Sequence, residues 1–562
     1  MTYSRRPGSQ TLARFVLGAG LLGALAAAQG VIAQHAGHAP LPAAATELHP
    51  GLGGYHFPIS TASADAQTYF DQGIGLLYGF NHDEAARYFR RAAELDPRSP
   101  MPYWGLALSI GPNYNDTAVD EVRARATYDA VQNAQQRAAN ASDREQAYVA
   151  ALAKRYPSPN PNSDWLAQHR DYSEAMRAMT ARFPDDVDAA TLFAESLMML
   201  RPWQLWTLDG EPAPGTLELV AVLESVLKRS PNHAGANHFY IHAVEASRNL
   251  ERAIPSAARL MTLAPAAGHL VHMPGHIYLQ TGDFDLAAET NVNAAAADKA
   301  FVERTGATGV YPLMYWTHNL HFIAYARAQQ GRYEEAKQAA LEMVANVGDA
   351  DREMQMLEGF RLYPLMIDLR FHRWDTILAE PQPAETRAFS RAFWRYARAM
   401  AYAGSSRVRE AGAEQRRFEQ ARAGLVAESQ YLINNKAGDV MTLAAATLDA
   451  QLAQARGDAP AAIAAWRRAV TAEGALQYDE PPAWFYTVRQ SLGAALLRAG
   501  QATEAEQVFR EALATRPRDA RLLFGLWQTL LAQQRASEAV LVENQYKEAW
   551  RDATTALTLD LL

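Results

Sequence analysis

An all-α solenoid of repeated antiparallel helix pairs is the fold class this sequence predicts. Histidines recur with the period of such a repeat: His238 to His272 is 34 residues, and His242 to His276 is again 34. Glycines mark turns between paired helices in a fixed pattern. Gly282 and Gly331 each precede an aromatic residue by two places (Phe284, Tyr333) and an alanine by five (Ala287, Ala336). At 562 residues the chain is too long for one simple core unless the fold is modular.

Composition removes several function classes. Hydrophobic residues are 49% and charged residues 20%, proportions ordinary for a globular protein. The formal net charge is −8 and no basic run occurs, which argues against a nucleic-acid partner. The chain has no cysteine, so disulfides, thiolate metal sites, cysteine catalysis and a lipid-modified N-terminal cysteine are excluded. No Gly-rich phosphate loop or GxSxG elbow is present, and no carboxylate pair stands out among the many acidic residues.

The N-terminus reads as an export signal. Arg5, Arg6 and Arg14 form a positive region ahead of the apolar stretch Phe15 to Ala28. Small residues place cleavage after Ala28 or Ala33. The apolar run is shorter than a membrane-spanning helix needs. The expectation is therefore an exported, periplasmic or extracellular protein with no stable membrane span once the signal is removed. Residues 34–60, rich in Ala, Pro, His and Gly, are expected to be a flexible leader. His35 and His38 fall in it.

The repeat becomes explicit from Ala66 onward. Tyr69, Gly73, Leu76, Ala85, Phe89, Ala92 and Pro97 match the tetratricopeptide pattern of aromatic, small and helix-ending residues. A small residue lets the first helix of a pair (helix A) approach the second (helix B), and proline ends helix B. The same pattern returns near Tyr486 with Gly493, Leu496, Gly500, Ala505, Phe509, Ala512 and Pro517. This resemblance implies a tetratricopeptide-type solenoid, a right-handed superhelix of antiparallel helix pairs. The predicted organisation is N-terminal repeats over 61–200, central repeats over 201–350, and C-terminal repeats with a capping helix over 351–562. An aromatic insertion near Trp203 and Trp206 either pins a loop to the solenoid or roofs a pocket.

The central repeats carry the chemistry. Counted from the turns at Gly282 and Gly331, His272 and His321 both take the fifth place of helix A, and His238 joins them by the 34-residue step. The ninth place holds His242, His276 and Tyr325, and the second holds His269 and His318. With Ala194 as the small packing residue, Glu195 also falls at a ninth place. Places two, five and nine share one helix face. By the resemblance, that face lines the concave groove. Adjacent helices pack about 8–10 Å apart, so imidazoles from neighbouring helices can converge on one ion. Imidazole suits Zn, Cu, Ni or Fe. The predicted metal ligands are His238, His242, His272, His276 and His321, then His318 and His269, with Glu195 or Glu245 as carboxylate and Tyr325 and Glu245 lining the groove. The cofactor expected is a transition-metal ion such as Cu, Zn or Fe.

Residues 55–345 further resemble a bacterial group of exported tetratricopeptide proteins. The motifs that carry this are YGFNH (78–82), Trp104-Gly105, HFYIHAVE (238–245), HLVHMPGHIY (269–278) and HNLHF (318–322). The repeat class implies a protein or peptide ligand in the groove. Two readings therefore stand: a histidine-rich metal site, catalytic if a coordination position stays open, or a metal-free scaffold whose histidines contact a ligand or satisfy buried carbonyls.

Overall fold

Phe89 shows how one repeat locks to the next. It lies on the helix His82–Leu95, which pairs with Ala64–Tyr78. A Cβ on Gly73 would stand 2.8 Å from its ring, and one on Gly105 of the following helix 2.5 Å. The phenyl ring thus fills a slot between two glycines. Phe509 does the same between Gly493 and Gly525 near the other end of the chain.

The computed structural model describes residues 43–562, so the predicted signal peptide, His35 and His38 lie outside the described residues. Antiparallel α-helical pairs run from Ala64 to Ala549, and the only strands among the described residues form a short ribbon, Gln430–Tyr431 with Asn435–Lys436. The protein is a tetratricopeptide-type α-solenoid. No helix among the described residues is long and apolar enough to cross a membrane.

Turns between paired helices follow one rule. The residue two places before helix B is left-handed: Gly282 (φ 77°), Gly331 (φ 76°) and Gly500 (φ 77°). Glycine takes this conformation without a Cβ clash. Elsewhere the position falls on a non-glycine: Phe80 (φ 54°), His372 (φ 53°), Ser406 (φ 60°) and Gln534 (φ 62°).

Two expectations change. Residues 43–60, expected as part of a flexible leader, pack along the solenoid. Phe57 is fully buried among Phe70, Trp104 and Tyr148, and the Tyr55 hydroxyl donates to Asp188. The apolar residues Leu52 and Phe57 outweigh the linker-like composition around them. The central face is also not an open groove along its length. Arg516 donates to the Tyr325 hydroxyl (3.2 Å), Arg518 forks onto Asp283 (2.6 and 2.8 Å), and Arg521 donates to the Ala328 carbonyl (3.0 Å). The C-terminal repeats thus close against the central ones, and Tyr325 is buried.

Candidate metal centre

Helices α1 (Val187–Met198), α2 (Ala234–Val244), α3 (Gly268–His272), α4 (Pro274–Thr281) and α5 (Thr317–Gln329) carry the predicted residues. The α3–α4 pair is one helix A interrupted at Met273, because Pro274 has no N–H to continue the ladder. Counted from each helix start, the fifth, ninth and second places hold the residues expected there. Neighbouring helices meet with a stagger: place five of one touches place two of the next. Nε2 of His238 lies 3.1 Å from Nε2 of His269, and the rings of His272 and His318 are 4.8 Å apart.

Hydrogen bonds behind the rings fix the imidazole orientations. His238 Nδ1 donates to the Tyr78 carbonyl (2.6 Å) and His242 Nδ1 to Glu245 (2.9 Å). His272 Nδ1 donates to Asn291 Oδ1 (2.6 Å), an atom identified because Asn291 Nδ2 donates to the Ala287 carbonyl. His276 Nδ1 meets Glu245 (2.6 Å) and also Glu480. Carbonyl and carboxylate oxygens accept here, so the Nδ1 atoms carry protons, and the Nε2 atoms of His238, His242, His272 and His276 point inward. This is the arrangement in which an outer hydrogen bond orients a metal-ligating histidine. Gly275 permits it locally, since a Cβ there would collide with Asn291.

The inward nitrogens are crowded. His272 and His276 bring Nε2 to Nε2 at 2.7 Å, and His242 Nε2 is buried with no hydrogen-bond partner among the described residues. Two lone pairs at 2.7 Å repel unless a positive charge lies between them. Either a proton on His276 or a metal ion meets that requirement. Burial by itself lowers the His276 pKa, but Glu480 and Glu245 raise it to about 10. Burial first, and the neighbouring histidines next, hold His238, His269, His272 and His318 well below the ordinary imidazole range. These four are therefore neutral, the form that ligates metal. Burial pushes Glu480 up to about 7, whereas His242 and His276 overcome burial at Glu245 and lower it.

Glu480 escapes sequence reasoning. It reaches His276 from the loop between Ala459–Gly474 and Arg489–Arg498, where Gln280 also donates to it. The expectation that the central repeats carry the chemistry, with no carboxylate pair standing out, is corrected here: Glu245 and Glu480 both hold His276. The sequence signal was only an acidic Asp479-Glu480 followed by two prolines and aromatics.

Two predicted ligands lie elsewhere. His321 keeps the fifth place, but the next helix offers it Phe360 and Tyr363, with ring centroids at 5.5 and 4.3 Å. Both its nitrogens lack hydrogen-bond partners among the described residues, and burial lowers its pKa to about 3. Glu195 takes the ninth place of α1, but both its oxygens are held by the Arg155 guanidinium (3.0 and 2.9 Å). Neither belongs to the converging set.

Aromatic residues wall the cluster. Phe80 lies 4.4 Å from the His238 ring and 5.4 Å from His269. Trp203, also left-handed (φ 61°), and Tyr114 cover His242, while the Trp206 indole pins the insertion by donating to the Ala243 carbonyl. Both earlier readings of the insertion thus apply, one to each tryptophan. Phe80→Gly relieves about 1–2 kcal/mol of left-handed strain but empties a ring site worth about 3–5 kcal/mol. A net loss of about 2 kcal/mol is expected in urea denaturation; an unchanged or raised midpoint would show that the ring's packing is worth no more than the strain it carries.

His318 is the partly exposed member of the cluster, beside Tyr315 on the π-helical turn Tyr311–Trp316. Asp298 anchors this side, accepting from the Tyr311 hydroxyl (2.9 Å) and Asn319 (2.7 Å). Burial raises its pKa from 3.8 to about 7. The folded state therefore binds a proton that the unfolded chain releases. The resulting stability is complete below about pH 4 and is lost as pH rises through about 7. Asp298→Asn should flatten melting temperature across that range, and an undiminished slope in the variant would refute the assignment.

A tetratricopeptide-repeat family profile matches residues 496–552. Among solved structures, an APC/C hetero-tetramer of Cut9 and Hcn1 is similar at 11% identity and TM-score 0.29, covering 87% of this chain and 74% of that one. A human IFIT1 dimer with PPP-AAAA is similar at 12% identity and TM-score 0.32, covering 86% and 90%. No curated protein matches the chain.

Proposed function

We propose that this is an exported, periplasmic or extracellular helical-repeat metalloprotein. Its buried imidazole cluster binds a transition-metal ion such as copper, zinc or iron, for metal handling or metal-dependent chemistry. The observation that carries this reading is the convergence of inward Nε2 atoms on His238, His242, His272 and His276, whose Nδ1 atoms are fixed from behind. A cluster serving only to satisfy buried carbonyls would not need His242 Nε2 left unpartnered beside an opposed 2.7 Å pair. A peptide-binding groove is supported less well, because Tyr325 and His276 are engaged by Arg516 and Glu480 of the same chain.

The test is elemental analysis of protein purified without a histidine tag, beside a variant with His238, His242, His272 and His276 all changed to alanine. Metal near one equivalent or more, absent from a folded variant, is the expected result. No metal in either protein, before or after incubation with Cu²⁺ or Zn²⁺, would sink the proposal and leave the surface to a protein or peptide ligand.

A further inference from the structure

The repeat builds the same histidine triad twice. Places five and nine of α2 with place two of α3 give His238, His242 and His269. Places five and nine of the α3–α4 helix with place two of α5 give His272, His276 and His318. Within each triad, nitrogens from all three residues lie within 4.8 Å of one another. The pattern ends on both sides. One repeat earlier, places five and nine are Thr191 and Glu195; one repeat later, His321 is followed by Tyr325 at place nine and packs against Phe360 and Tyr363, its ring 6.2 Å from that of His318.

The triads are neighbours. The rings of His269 and His272 are 5.5 Å apart, and those of His242 and His276 are 5.6 Å apart. Glu245 spans them, with one oxygen on Nδ1 of His242 and the other on Nδ1 of His276. One carboxylate thus orients a member of each set.

Resting on the metal-binding reading above, the geometry points to a two-ion centre: each triad takes one divalent transition-metal ion, and Glu245 couples the pair. A single tetrahedral ion needs four ligands, which leaves two of the six converging imidazoles unexplained. Three imidazoles per ion leave an open position on each, the pattern of a site that admits a further ligand. The two buried carboxylates offset part of the charge of two cations. Imidazole nitrogens bind copper(II) more tightly than zinc in the usual affinity order. Entry lies on the side of His318 and Tyr315, where the cluster is least buried.

Metal-stripped protein is loaded with excess Cu²⁺, and separately with Zn²⁺, desalted, and counted for metal per chain. Two ions per chain are expected. The paired substitutions His238→Asn with His269→Asn, and His272→Asn with His318→Asn, should each retain one. A count of one in the unsubstituted protein overturns the two-ion centre but leaves the metal-binding reading standing; a count of zero overturns both. A paired variant that keeps two ions overturns the assignment of residues to sets. Circular dichroism identifies any variant that fails to fold, and the count on the unsubstituted protein then decides.

Discussion

Replacing Glu245 by alanine is expected to destabilise the protein by about 3–5 kcal/mol and to weaken metal binding about 10–100-fold. The carboxylate is 2% exposed and accepts from both His242 and His276. His276 keeps Glu480, but His242 loses its one hydrogen-bond partner among the described residues, since its Nε2 already has none. Alanine therefore leaves an imidazole buried with neither nitrogen bonded and opens a cavity beside it. Glu245→Gln keeps the volume and one acceptor, so it should lose less stability, yet still weaken metal binding because the amide cannot accept at both positions. Guanidinium denaturation and a competitive Zn²⁺ titration separate the two effects. Equal stability of Glu245→Ala and the unsubstituted protein would show that the histidines are held in place by packing alone.

Much of this site was legible because the histidines are periodic. The 34-residue step and the glycine turns fix the place of each residue on its helix, and the structure keeps those places. What the count lacked was the stagger between neighbouring helices. Place five faces place two of the next helix, so a histidine in the right column converges only if the next repeat supplies another at place two. His321 fails that condition because Phe360 and Tyr363 stand opposite it. Glu195 fails for a different reason: Arg155 arrives from an earlier helix, a contact 40 residues away that no period encodes. Glu480 reaches the cluster through closure of the C-terminal repeats, a long-range contact outside the repeat pattern.

The fold was legible wherever a small residue has a fixed structural task. Gly73 and Gly493 make room for Phe89 and Phe509, and Gly282 and Gly331 take the left-handed turn. Phe80 keeps the left-handed turn without glycine, as His372, Ser406 and Gln534 do in later repeats. Its ring packs directly against His238 and His269. The packing of the strap at 43–60 was hidden because its anchoring residues, Leu52, Tyr55 and Phe57, are few and lie among exposed, linker-like neighbours.

Arg155→Met is expected to cost about 3–5 kcal/mol, the usual result of stranding one member of a buried ion pair. Arg155 is 2% exposed; its guanidinium forks onto Glu195, donates to the Pro112 carbonyl (3.2 Å) and stacks over Tyr172 at 5.0 Å. Methionine fills most of the space but leaves the Glu195 carboxylate uncompensated beside apolar rings. Desolvation makes such a pair a weak net stabiliser even though each half needs the other. The double variant Arg155→Met with Glu195→Met should therefore recover most of the loss, which a purely steric defect at position 155 would not do. Metal content is the second readout. Because Glu195 is committed to Arg155 and stands outside both triads, Glu195→Gln should lower the denaturation midpoint and leave the metal count unchanged. A fall in that count would return Glu195 to the ligand set and require the Arg155 pair to open when metal binds.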